Sequence, residues 1–210
     1  MPDATKSAEV RRILDRYLVE VVELYDLCPW ARGARLGGEL AVEIVFGSPS
    51  IDDWTIAAKR ALAHESTRVA MVIAPEIVIE PGALRTIRTR LSARLSGVGI
   101  ADFHPEATLD LATPARLVPF LRRSPDPMLQ IVPLGFLDSI RSGPLPDRMH
   151  QAQALGGHAT VKRDVGEQIA SENHAAVTLH HPAMAATLDA IAADRAAAYA
   201  RVGISASRSV

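Results

Sequence analysis

Three short signatures hold the side chains best able to do chemistry: Cys28-Pro29-Trp30, Phe103-His104-Pro105 and Arg123-Ser124-Pro125-Asp126-Pro127-Met128. Proline fixes its own φ and pushes the residue before it out of the helical region. Each signature therefore marks the end of a regular element, where binding and catalytic groups concentrate on a rigid core. The expectation is one pocket shared by Cys28, His104 and Arg123.

His104 leads the catalytic candidates, because an imidazole suits both proton transfer and metal ligation near neutral pH. It should close a strand, and open α/β sheets bind ligands beyond the carboxyl ends of their parallel strands. With Glu106 it forms a His-x-carboxylate pair, which His181 would complete as a two-histidine, one-carboxylate iron triad. His174 and His180 are the other histidines considered for that third place. Such spacing is common by chance, and the chain lacks the many short strands of a double-stranded β-helix. The competing reading is a ring that satisfies a nearby backbone carbonyl.

Cys28 is the second catalytic candidate. It follows a long helix whose negative end disfavours a thiolate, although Arg32 and Arg35 could offset that field. A Cys-Pro pair can also present sulfur to haem, and a thiol packed beside Trp30 is the structural alternative. Arg123 would anchor a carboxylate or phosphate, with Ser124 as a hydrogen-bonding partner and Trp30 in the substrate-binding wall. An ordinary surface salt bridge is the alternative for Arg123, and more so for Arg122.

The chain has 210 residues with 23 basic and 24 acidic side chains, a net charge of −1 that argues against nucleic acid or an anionic membrane as partner. A single cysteine precludes an intramolecular disulfide and a CxxC zinc site. Met1 to Glu9 is polar, unlike a signal peptide, and no apolar run reaches membrane-span length. A cytoplasmic location is expected. No Gly-rich phosphate loop or dinucleotide fingerprint is present.

The elements that must position these groups follow from periodicity. Val10, Ile13, Leu14, Tyr17, Leu18, Val21, Val22 and Tyr25 make a helical stripe, with Ser7 as N-cap and an end near Leu27. Strands are expected over Leu40–Phe46, Arg68–Ala74, Gly97–Phe103 and Met128–Val132. Helices are expected from Ile51 to His64, from Pro81, and over Pro114–Leu121. This order predicts an α/β fold: one sheet of about four strands, partly parallel, with flanking helices and a C-terminal helical segment. Residues 1–140 would form that domain, and residues 141–210 a loop plus helical extension packed on it. Asp138–Gly157 reads as loop, Arg163–Asn173 as a helix, and His180-His181-Pro182 as the entry to a helix ending at Val202.

Leu27-Cys28-Pro29-Trp30-Ala31, Phe103-His104-Pro105 and Arg123-Ser124-Pro125-Asp126-Pro127-Met128-Leu129, in this order, resemble the uncharacterised bacterial family DUF 1415. The resemblance covers about Val10 to Ile140. It departs at Phe120-Leu121-Arg122, where the family pattern has a polar stretch before the arginine. It implies a related fold and pocket, and no reaction.

These residues suggest a small-molecule enzyme acting on an anionic substrate, with His104 as acid/base or metal ligand. Its most concrete form is an iron-dependent oxidoreductase, haem or non-haem; the sequence names no cofactor outright. The alternatives are a non-catalytic ligand- or haem-binding regulatory protein and a metal-free acid/base transferase or hydrolase. An alanine-rich terminal helix offers a homo-oligomer contact.

Overall fold

The computed structural model describes residues 2–142, 165–205 and 207–208. Strands β1 (Leu40–Ile44), β2 (Val69–Ile73), β4 (Val98–Phe103) and β5 (Met128–Pro133) form one mixed sheet in the order β1-β2-β5-β4. β1 and β2 pair in parallel, and β5 runs antiparallel to both β2 and β4. The expected partly parallel α/β sheet of four strands is therefore what forms. Two short strands, β3 (Ile77–Val78) and β6 (Ser207–Arg208), pair separately.

Alternation within the strands gives the sheet two different faces. One carries Ala70, Val72, Leu129 and Ile131, against which helices α3 (Ile51–Ala61) and α4 (Pro81–Ser92) pack with Trp54, Leu84 and Leu91. Ser50 caps α3 with a full capping box, its hydroxyl accepting from Asp53 N–H while Asp53 accepts from Ser50 N–H. The other face carries Val42, Met71, Ile73, Met128 and Phe103, covered by helices α1 (Pro2–Tyr17), α5 (Pro114–Leu121) and α7 (Val165–Val202). Helix α2 (Ala31–Leu36) follows the Cys28 signature, and α6 (Leu134–Ser142) follows β5 directly. Gly99 lets α6 approach β4: a Cβ there would lie 3.0 Å from Leu137 Cδ1.

Four boundaries differ from the sequence reading. Helix α1 starts at Pro2, so Ser7 is inside it; proline suits a first turn, where its missing N–H is no loss. The expected continuation to Leu27 instead becomes a π-helical segment, Leu18–Glu23, and Leu27 N–H donates to Val22 O at 2.9 Å. Residues 134–142 are helical where loop was expected from Asp138; the remainder of that stretch lies outside the described residues. Helix α7 runs through Pro182 without a new start, since Pro182 is solvent-exposed and Val177, Met184, Leu188 and Ile191 continue one buried stripe. Gly203, at φ +72°, ends α7, and Ile204 N–H donates back to Tyr199 O at 2.9 Å. No helix among the described residues is long and apolar enough to cross a membrane.

Candidate functional site

The junction from α1 to α2 is irregular for a stated local reason. Proline at 29 disfavours helical conformation at Cys28, and the chain unwinds before it. It does so through the π-helical segment and Asp26, a non-glycine residue at φ +53°. π-helical turns and left-handed non-glycine residues are both enriched at functional sites. Leu27 is held in place from across the core, its carbonyl accepting from Asn173 Nδ2 at 3.1 Å.

This junction forms one wall of a cavity of about 420 Å³ over the face of the sheet covered by α1 and α5. Its walls are mainly apolar, including Leu18, Val22, Met71 and Phe103, with Leu137 of α6 and Ile169 of α7. A small set of polar groups interrupts them, including Tyr17, Cys28, Gln130 and Arg122. An apolar recess with a few convergent polar groups is the usual form of a small-molecule site.

The polar set is short of partners. Tyr17 is buried at 2 % exposure, and among the described residues its hydroxyl has no hydrogen-bond partner. Burial pushes its phenol up, with Cys28 adding to the effect. Burial also pushes the Cys28 thiol up, while the backbone N–H groups of Trp30 and Ala31 pull the other way. Burial is the larger influence, so the sulfur is a neutral thiol at neutral pH and not a preformed nucleophile. Gln130 lies between Met128 and Val132 on the cavity side of β5 and likewise has no side-chain partner among the described residues. Both groups line the cavity, so a ligand there can supply each with a hydrogen-bond partner.

Arg122 supplies the charge. It is the C-cap of α5, and its side chain keeps 39 % of its surface exposed, which places it at the opening. Its Nη1 lies 4.0 Å from Asp102 Oδ1, the limit of an ion pair. Burial pushes its guanidinium below the ordinary value; Arg88 and Arg85 act in the same direction and Asp102 opposes them. Such a cation is under-compensated and favours an anion beside it.

The other expected site residues sit elsewhere, so Cys28, His104 and Arg123 do not share a pocket. Trp30 and Cys28 line the cavity, but His104 does not. Phe103 turns into the cavity, and the next residue faces the opposite side, where His104 Nε2–H donates to Ile79 O at 2.8 Å. Its Nδ1 accepts from Glu106 N–H at 3.1 Å. The ring is 7 % exposed and joins two chain segments. Both ring nitrogens are engaged, Glu106 is exposed, and His181 Nδ1 lies 3.3 Å from Thr178 O on the outer side of α7. Among the described residues, no group of three His, Cys, Asp or Glu side chains could hold a metal ion, so the iron triad does not assemble.

The arginine motif is spent on packing. Arg123 Nη2 reaches Asp189 Oδ1 of α7 at 3.1 Å, and the Ser124 hydroxyl donates to Asp126 O at 2.6 Å. Asp126 is 4 % exposed and accepts from Arg195 Nε and from the Tyr199 hydroxyl, each at 2.7 Å. Arg195 also donates to Pro75 O at 2.9 Å. Burial pushes the Asp126 carboxyl up, against the pull of Arg195 and Tyr199. The motif thus clamps α7 to the sheet. Sequence reasoning missed Tyr17, Gln130 and this use of Asp126; the one signal for Gln130 was a polar residue inside the apolar run Met128–Val132.

Compared with known proteins, the chain matches no family model, no curated protein and no solved structure. The fold and cavity define it as a mixed α/β protein with a ligand-sized recess on one sheet face.

Proposed function

We propose that the protein binds a small, mainly apolar molecule carrying a negative group, with the body in the cavity and the charge at Arg122. The observation that carries this reading is an under-compensated guanidinium at the opening of an apolar recess lined by the unpartnered Tyr17 hydroxyl. Gln130 and Cys28 would select for polar atoms along the body. The expected anionic ligand is kept, but its anchor moves from Arg123 to Arg122. Recognition is favoured over nucleophilic chemistry, because the thiol is held neutral. The iron-dependent oxidoreductase reading gains no support, since His104 uses both ring nitrogens in bonds to the backbone.

Calorimetric titration with octanoate, octan-1-ol and octylammonium tests the sign of the charge. Octanoate should bind tightest and octylammonium weakest. A reversed order, or no binding by any of the three, would contradict the reading.

A further inference from the structure

The sheet face under the cavity is apolar at every strand position but one. Its middle row runs Val42, Met71, Gln130, Ala101 across β1, β2, β5 and β4. The rows on either side of it hold no polar side chain. Gln130 therefore stands alone in the cavity floor, on an inner strand with a neighbour on each side. Packing alone would favour an aliphatic side chain here, as in the rest of the face, because a covered amide needs hydrogen bonds. Tyr17 reaches the cavity from the other wall, on the helix α1 that covers this face. Among the described residues neither side chain has a partner.

The amide and the phenol can each donate and accept. Arg122 is the one charged side chain of the lining among the described residues, so a second charge on the ligand would enter without a counter-ion. The smallest neutral group that both donates and accepts is a hydroxyl. An unbroken hydrocarbon body would displace water from Gln130 and Tyr17 and replace none of its hydrogen bonds, whereas a hydroxylated body restores them. Resting on the reading of the cavity as a ligand site, we infer that its ligand is a hydroxylated alkyl anion. The negative group sits at Arg122, and a hydroxyl part-way along the apolar body meets Gln130 from the floor and Tyr17 from the roof.

The test compares octanoate by calorimetry with hydroxyoctanoates carrying the hydroxyl at carbon three, five or seven. One of the three should bind about tenfold tighter than octanoate, the effect of a net hydrogen bond in a partly buried site. Its oxo analogue, which can only accept, should fall between the two. Gln130→Leu should reverse the order, because leucine favours the hydrocarbon and leaves the alcohol without a partner. Tyr17→Phe should cut the gain to about threefold. A reversed order cannot come from a general loss of fold, which would weaken both ligands. Octanoate binding at least as tightly as all three hydroxy acids, or a preference unmoved by both variants, overturns this inference and leaves Arg122-dependent octanoate binding, and hence the cavity reading, intact. An oxo analogue tighter than the hydroxy acid would overturn the hydroxyl assignment. Failure of octanoate and all its derivatives to bind would overturn the cavity reading and this inference together.

Discussion

Arg122 and Arg123 are adjacent in the chain and opposed in role: Arg122 lines the cavity 4.0 Å from Asp102, and Arg123 turns to Asp189 on α7 at 3.1 Å. The geometry at the end of α5 sends the two side chains different ways. Arg122→Gln should weaken binding of an alkyl anion by about tenfold, the loss of one charge-assisted contact. Arg123→Gln should leave it unchanged and cost no more than about 1 kcal/mol of stability, because Asp189 is exposed. Calorimetry with octyl sulfate and urea unfolding of both variants check this; equal effects on binding would erase the distinction.

His104 should behave as a structural residue. His104→Ala removes the donor to Ile79 O and the acceptor for Glu106 N–H at a site only 7 % exposed. A loss of about 2–3 kcal/mol is expected from the orphaned groups and the void. At a temperature where the variant is folded, alkyl-anion affinity should match the parent. A stable variant that no longer binds would restore His104 to the site.

The clamp on α7 makes a sharper stability claim. Arg195→Ala strands the Asp126 carboxyl at 4 % exposure and should destabilise by about 3 kcal/mol, as in other broken buried pairs. Tyr199→Phe removes one of its hydrogen bonds and should cost about 1–2 kcal/mol. If both variants unfold at the parent's urea midpoint, the arginine motif is not a clamp.

Acid should weaken the contact between α1 and α7. Asp194 Oδ2 accepts from Arg12 Nη1 and Arg16 Nη1, each at 2.7 Å, and these guanidiniums hold its carboxyl well below the ordinary range. The folded state therefore binds this proton less readily than the unfolded state, so stability rises with pH across that interval. The contribution is complete above the unfolded carboxyl value of about 4 and fades as pH falls through the folded value. Asp194→Asn should cost about 1 kcal/mol at pH 7, given how exposed the network is. The gap to the parent should close as the pH is lowered toward 2, and narrow in 1 M salt. A gap that widens in acid would reverse the sign.

Much of the fold was legible because strand and helix periods are local properties. The run Val69–Ile73 and the stripe from Val10 to Tyr17 are buried as their spacing requires. The π-helical turn was not legible, since Leu18–Glu23 has the composition of an ordinary helix and nothing local in it signals the wider turn. Nor was the continuity of α7, where Pro182 argues locally for a start and the buried residues on either side override it.

The site was half legible for a related reason. Cys28 and Trp30 stand at a proline-marked exit, and both line the cavity. Tyr17 was hidden inside an apolar stripe, where a tyrosine reads as core until its hydroxyl is seen to lack a partner. His104, Ser124 and Arg123 share the same proline signal but spend their polar atoms on Ile79, Asp126 and Asp189. Proline marks where a chain turns, and the direction each side chain takes from there depends on residues far away in sequence.

The most direct measurement follows the lone thiol, because Cys28 is both the only cysteine of the chain and part of the cavity wall. Alkylation of Cys28 by a small maleimide can be timed by mass spectrometry with and without octanoate, in the parent and in Arg122→Gln. Occupancy of the cavity should slow labelling of the parent in proportion to ligand bound, and at the same concentration protect Arg122→Gln much less. Labelling that proceeds at one rate in the parent, whether or not the ligand is shown by calorimetry to be bound, would place the binding site elsewhere.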